Sequence, residues 1–239
     1  MVGDDSSSQV HCMVWGDSHA MAVVPAIENL AREMRSRVAV ATFFATAPIL
    51  EVQCTSPVSL KHDSGKWALA VVDYVKSQHI PNVLLVCRWR TYQSKAIDDK
   101  PPRGPCNLPS KIQETVLQLE KAGARVWILK EVPTYGFKVP RALARAVIHG
   151  DPLARMGMRE DQYAEASASE DSLLELAASA GATILDPRLA FINQDHFCAI
   201  EDSGFALYRD NDHLSSHGAM MLKPLFRRIW HDQPQPASP

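Results

Sequence analysis

The chain has few of the features that would commit it to a membrane, a nucleic acid or a metal. Its 239 residues contain no apolar run long enough to span a bilayer. The opening "MVGDDSSSQ" is polar and acidic and lacks the layout of a secretion signal. Charge of either sign is not in excess. A formal net charge of −2 gives no general affinity for nucleic acid or for anionic membranes. Five cysteines are present, and none falls in a CxxC or Cys/His pair with zinc-ligand spacing, so a zinc site is not expected. No internal repeat is found.

What remains is ordinary for a soluble globular protein: 46% hydrophobic and 22% charged residues. The length suits one large α/β domain or two small ones. Cys12 and Cys87 lie inside apolar runs and read as small core residues. Cys54, Cys106 and Cys198 fall in loop-like segments. One disulfide among these three is open if the compartment is oxidising, and the sequence does not choose the pair.

Five apolar runs stand out: "HCMVWGD" (11–17), "RVAVATFF" (37–44), "NVLLVCRW" (82–89), "ARVWILKEV" (124–132) and "ATILDP" (182–187). Each is nearly continuous rather than alternating, as in strands covered on both faces. Helical patterns lie between them, over 19–36, 64–79, 108–123, 168–181 and 215–230. Pro25 reads as a kink or a late start in the first. Pro109 and Gly123 mark the two ends of the third. This alternation predicts an α/β layered fold with a largely parallel sheet. Residues 1–10 read as a linker, 11–231 as one domain, and the Pro-rich 232–239 as a disordered tail. The chain is expected to be a domain taken from a longer protein. Residues 45–63, 90–107 and 133–165 break the alternation. The first two follow strand C-termini, where open α/β sheets bind ligands.

The first run ends in Gly16-Asp17-Ser18-His19. Glycine permits a tight exit from the strand. Ser18 then sits at the strand-to-helix turn, where a helix N-terminus favours developing negative charge. It reads either as a nucleophile whose own N–H helps hold an oxyanion, or as a helix cap with Asp17 completing the turn. Near the other end, "LYRDNDHLSSHGA" (207–219) places Asp210, Asp212 and His213 before the last helix. A serine needs a base, and a histidine base needs a carboxylate to orient it. Asp210, three residues before His213, is expected to share its cleft. Asp212, adjacent to His213, is expected to point elsewhere. His19 is expected to cap or pack, and "RALARAV" (141–147) reads as a solvated helix face.

These motifs resemble the first and last sequence blocks of the SGNH, or GDSL-type, hydrolase superfamily. The likeness is closest to the SGNH domain at the C-terminus of acyltransferase-3 membrane proteins, which acylate bacterial surface polysaccharides such as lipopolysaccharide O-antigen. "WGDSHA" (15–20), "CRWRTY" (87–92) and "LYRDNDHLSSHGA" (207–219) occur in that branch's order. The resemblance implies Ser18 as nucleophile, His213 as general base and acid, and Asp210 as the residue that orients His213. It also implies a three-layer α/β/α sandwich on a mainly parallel sheet of about five strands, an acyl donor delivered by the membrane domain, a carbohydrate acceptor, a place on the periplasmic face of the inner membrane, and no metal or organic cofactor. A free-standing carbohydrate esterase and a non-catalytic glycan-docking module are the alternatives. The superfamily's G-x-N-D motif, which supplies an oxyanion-hole asparagine, has no counterpart after the third run. Arg88 and Trp89, ending that run at the same sheet edge, are candidates for a second oxyanion donor, with Trp89 in the core and both arginines in solvent as the plain alternative. Tyr92 is a candidate to line a sugar site or simply to pack.

Overall fold

The computed structural model describes residues 1–93 and 108–232. Its elements in chain order are β1 (Val2–Gly3), β2 (Val10–Gly16), α1 (Ser18–Glu33), β3 (Arg37–Thr42), α2 (Ser64–Ser77), β4 (Asn82–Val86), α3 (Trp89–Tyr92), α4 (Leu108–Lys121) and β5 (Arg125–Leu129). There follow α5 (Val139–His149), α6 (Glu160–Ser179), β6 (Thr183–Leu185), α7 (Arg188–Phe191), β7 (Glu201–Asp202), β8 (Phe205–Ala206), α8 (Ser216–Met221), α9 (Lys223–Phe226) and α10 (Arg228–His231).

The central sheet runs β1-β3-β2-β4-β5-β6. Every neighbouring pair is parallel except β1 with β3. Strand periodicity explains the continuous apolar runs. Along β2, Met13 and Trp15 enter one core while Cys12 and Val14 enter the other. The first core is closed by α2, α4 and α6 through residues such as Val71, Ile112 and Leu173. The second is closed by α1, α5 and the C-terminal helices through Ile27, Leu143 and Phe226. The three expected layers are present.

Two expectations need correction. The sheet has six strands rather than five, because Val2 and Gly3 pair with Val38 and Arg37. Part of the expected linker is therefore an edge strand. Gly3, at φ +105°, makes this fit: a Cβ there would lie 2.4 Å from the Ser36 carbonyl oxygen. The helical pattern at 215–230 is also divided, with Pro224 at the start of its second piece. Proline has no N–H to continue the preceding turn. Pro25, by contrast, lies inside α1. The expected insert at 133–165 holds α5 and the first part of α6.

Cys12, Cys54, Cys87 and Cys198 are all free and buried, so neither Cys54 nor Cys198 uses the disulfide left open by the sequence. Cys106 and, apart from Asp232, the expected disordered tail lie outside the described residues. Among those residues, no helix is long and apolar enough to cross a membrane.

The chain leaves β2 through α1 to β3 on one side, then returns through α2 to β4 on the other. The direction of winding thus reverses between β2 and β4. Crevices beyond the carboxyl ends of such a strand pair are where open α/β sheets take ligands. Gly16 ends one of these strands and Val86 the other.

Candidate active site

Asp17 follows β2 and caps α1, its carboxylate accepting the His19 N–H at 2.8 Å. The other carboxylate oxygen accepts the Arg88 N–H at 3.2 Å and the Tyr92 hydroxyl at 3.0 Å. Asp17 therefore ties the exit of β2 to the segment after β4. Burial pushes its carboxyl up to about 6, against the pull of these three donors. Ser18 is the first residue of α1, so its N–H belongs to the first turn, where amides have no intrahelical acceptor.

The second half of the site is a tight loop. Arg209 N–H donates to the His213 carbonyl at 3.0 Å, and Ser215 N–H to the Leu207 carbonyl at 2.9 Å. Tyr208 and Leu214 bridge it and are buried. Within it, one Asp210 oxygen accepts the Asp212 and His213 N–H groups at 3.0 and 2.8 Å. This Asx turn aims the His213 ring at α1. His213 Nε2 lies 2.7 Å from Ser18 Oγ, and Nδ1 lies 2.9 Å from Asp210 Oδ2. Three side chains expected to meet are thus in hydrogen-bond contact, although Ser18 and His213 are 195 positions apart.

Asp212 does not point elsewhere, contrary to expectation. Its Oδ1 also lies 2.9 Å from His213 Nδ1. The Asx turn curls the backbone enough to bring carboxylates at positions 210 and 212 to one nitrogen. Asp212 Oδ2 pairs with Arg88 Nη1 at 3.0 Å. Burial works against a charged His213, but the hydrogen bond it donates to Asp212 and the charges of both carboxylates outweigh it and raise the imidazole above its ordinary value. Asp212 is held well below the usual carboxylate range. Its burial is outweighed by the hydrogen bond to His213 and by positive charge nearby, that of Arg88 and His213 included.

The segment after β4 bears on four side chains whose readings were left open. The Arg88 guanidinium sits at the expected rim but is engaged by Asp212 rather than standing open in the cleft. Trp89 is fully buried, and its single ring donor goes to the Leu129 carbonyl at 2.8 Å, so that N–H is not available to an oxyanion. Tyr92 is also buried, with its hydroxyl on Asp17, and it offers no ring face to a sugar. Arg90 is not a solvent-facing arginine either. It binds the buried Glu131 through Nε at 2.9 Å and Nη2 at 2.8 Å.

His19 packs as expected, its ring tilted against that of His213 with centroids 4.6 Å apart. Burial, then the positive charge of His213, pushes it down to about 4, so it is neutral beside its neighbour. His19, Asp212 and His213 place one ligand-type atom each within 4.8 Å of one another. Two of the three are already engaged in the hydrogen-bond chain and the Arg88 ion pair. Sequence reasoning missed the reach of Asp17 and the contact of Asp212. The signal for the latter was its place in "DNDH", one residue from the base.

Comparison with known proteins bears on this arrangement. No curated protein matches the chain. Among solved structures, the periplasmic domain of a lipopolysaccharide acetyltransferase from Salmonella ser. Paratyphi A is similar at a TM-score of 0.69 and 16% identity, over 95% of this chain and 84% of that one. The C-terminal catalytic domain of peptidoglycan O-acetyltransferase A from Streptococcus pneumoniae gives 0.38 at 11% identity, over 94% of each chain. A G-D-S-L family lipolytic protein from Desulfitobacterium hafniense, itself described as putative, gives 0.45 at 12%, over 91% and 98%. At 16% identity, the first of these shows a shared fold. The profile of the SGNH domain fused to AT3 domains matches residues 2–228, nearly the whole chain, and the protein belongs to that family.

Proposed function

We propose that this domain is a serine O-acyltransferase that places an acyl group, most simply acetyl, on a hydroxyl of a bacterial surface polysaccharide such as lipopolysaccharide O-antigen. The observation that carries this reading is the hydrogen-bonded series Ser18–His213–Asp210 at the point where the sheet reverses its winding. Family membership supports the acyl-transfer class, and the fold shared with a lipopolysaccharide acetyltransferase domain supports the acceptor class.

The chemistry follows from the geometry. Ser18 Oγ attacks the carbonyl carbon of the acyl donor as its proton passes to His213 Nε2. The Ser18 N–H and the N-terminal dipole of α1 face the negative charge that develops on the carbonyl oxygen. His213 gives the proton to the departing donor group, leaving an ester on Ser18. A sugar hydroxyl then attacks that ester, its proton taken by His213, and Ser18 recovers the proton as the acylated sugar leaves. Asp210 holds the imidazole with its proton on Nδ1 throughout. None of these steps calls on a metal or an organic cofactor. In the parent protein the donor is handed over by the membrane-embedded acyltransferase-3 domain, which places this domain on the periplasmic side of the inner membrane.

The test is to delete the parent gene, complement it with wild-type or S18A forms, and read surface-glycan acylation by NMR. S18A is expected to abolish acylation. Full acylation by S18A overturns the nucleophile. Rapid turnover of a chromogenic acetyl ester by the isolated domain, without glycan acylation in cells, points to an esterase instead. A serine-directed phosphonate that fails to label Ser18 while a polysaccharide still binds points to a docking module.

A further inference from the structure

His213 meets two carboxylates at one nitrogen, and the second has a cation of its own. Asp210 is the more open of the two, with a side chain 33% exposed against 8% for Asp212. The buried one is paired with Arg88. Arg88 is bound at both ends. Its backbone N–H is on Asp17, in the turn that carries Ser18, and its guanidinium is on Asp212, in the loop that carries His213. One residue at the end of β4 thus touches both halves of the site.

We propose that Asp212 and Arg88 form a positioning pair for His213: Asp212 clamps Nδ1 alongside Asp210, and Arg88 aims Asp212 and offsets its charge. The assignment rests on the reading of His213 as the base. A single Nδ1–H cannot donate at full strength to two acceptors. The second carboxylate therefore adds mostly field and orientation rather than a second full bond. Two uncompensated negative charges would hold the imidazolium too firmly for a group that must give its proton back. The guanidinium, half-buried and paired with one of them, restores the balance. The other charged or titratable groups around the ring are Asp17 and His19 at the start of α1 and Arg209 beside Asp210.

The test reads His213 directly, by NMR titration of its ring in the full chain, with folding verified by thermal melting. D212N removes a negative charge, so the His213 midpoint is expected to fall by about one pH unit. The fall should be larger than in D210N, whose carboxylate is more open to water. R88Q uncovers Asp212 and should move the midpoint the other way, upward. R88K, which keeps the charge, should stay near wild type. A structural prop alone would lower melting temperature without giving shifts of opposite sign. The assignment is overturned if D212N leaves the midpoint in place, or if D212N and R88Q shift it in the same direction. Should D212N fail to fold, R88Q decides: an upward shift supports the pair and an unmoved midpoint overturns it. Because the titration needs no turnover, it stands apart from the S18A experiment.

Discussion

The Val86 carbonyl oxygen fills the space that a side chain at Gly16 would need: a Cβ there would lie 1.7 Å from it. The two residues end the strands on either side of the site. G16A must push β2 from β4 where Ser18 and Arg88 emerge. It is expected to cost about 3 kcal/mol in urea unfolding, with turnover lost as well. An unchanged urea midpoint would mean that the strands part freely here.

Because Asp210 and Asp212 share His213 Nδ1, their single substitutions should understate their joint effect. D210N and D212N are each expected to lower kcat by about 10-fold, and the double variant by about 10⁴-fold, well beyond the product of the two. Strictly multiplicative losses in acyl-transfer or ester assays would argue that the carboxylates act separately.

The raised His213 also sets a pH dependence. The base must be neutral to accept the Ser18 proton, so activity falls as pH drops through the folded-state value. The acid limb of kcat/KM is expected to have its midpoint above 6.5, the ordinary imidazole value. The stability that the carboxylates give a charged His213 has the opposite course. It is full below the unfolded value and is lost as pH rises through the folded one. A limb centred below pH 6 would show that the carboxylate field does not govern the ring.

Tyr92 bears on the acceptor site. Its buried hydroxyl donates to Asp17, which keeps the Arg88 N–H on the same oxygen. Y92F should therefore cost about 1 kcal/mol in unfolding and leave KM for the glycan acceptor unchanged. A large rise in KM would return Tyr92 to the sugar site.

Away from the cleft, Glu170 is fully buried, with one oxygen accepting the Glu131 N–H at 2.6 Å and the other without a hydrogen-bond partner among the described residues. Burial, and then the charge of Glu131, hold its pKa well above 4.5. A group raised in this way contributes stability below its unfolded value and loses it as pH rises through the folded one. E170Q is expected to melt above wild type at pH 8 and level with it at pH 4 in scanning calorimetry.

The parts of the fold that read easily from the sequence are those set by local chemistry. Continuous apolar runs gave β2 to β6, since strands covered on both faces need no polar alternation. Val2–Gly3 was hidden because two residues make no pattern, and it is pairing with Val38 and Arg37 that makes them a strand. At the site, Ser18 and His213 were legible from turn position and spacing. For Trp89 and Tyr92 the sequence left packing and ligand contact open, because an aromatic ring near a strand end reads the same whether it faces a cleft or the core. Asp212 was missed because adjacency in sequence says little about direction once a side-chain hydrogen bond curls the backbone.

The C-terminal helices fasten onto the region around α1. Trp230 Nε1 donates to Ser36 Oγ at 2.9 Å, its ring stacks on His11, and Lys223 reaches Glu33. Hydroxyl and imidazole come from opposite ends of this domain, so a half-translated or C-terminally clipped polypeptide holds Ser18 without His213. Such a fragment, cut before Tyr208, should be inert toward acetyl esters. Catalytic competence thus reports that the whole domain has been made and closed.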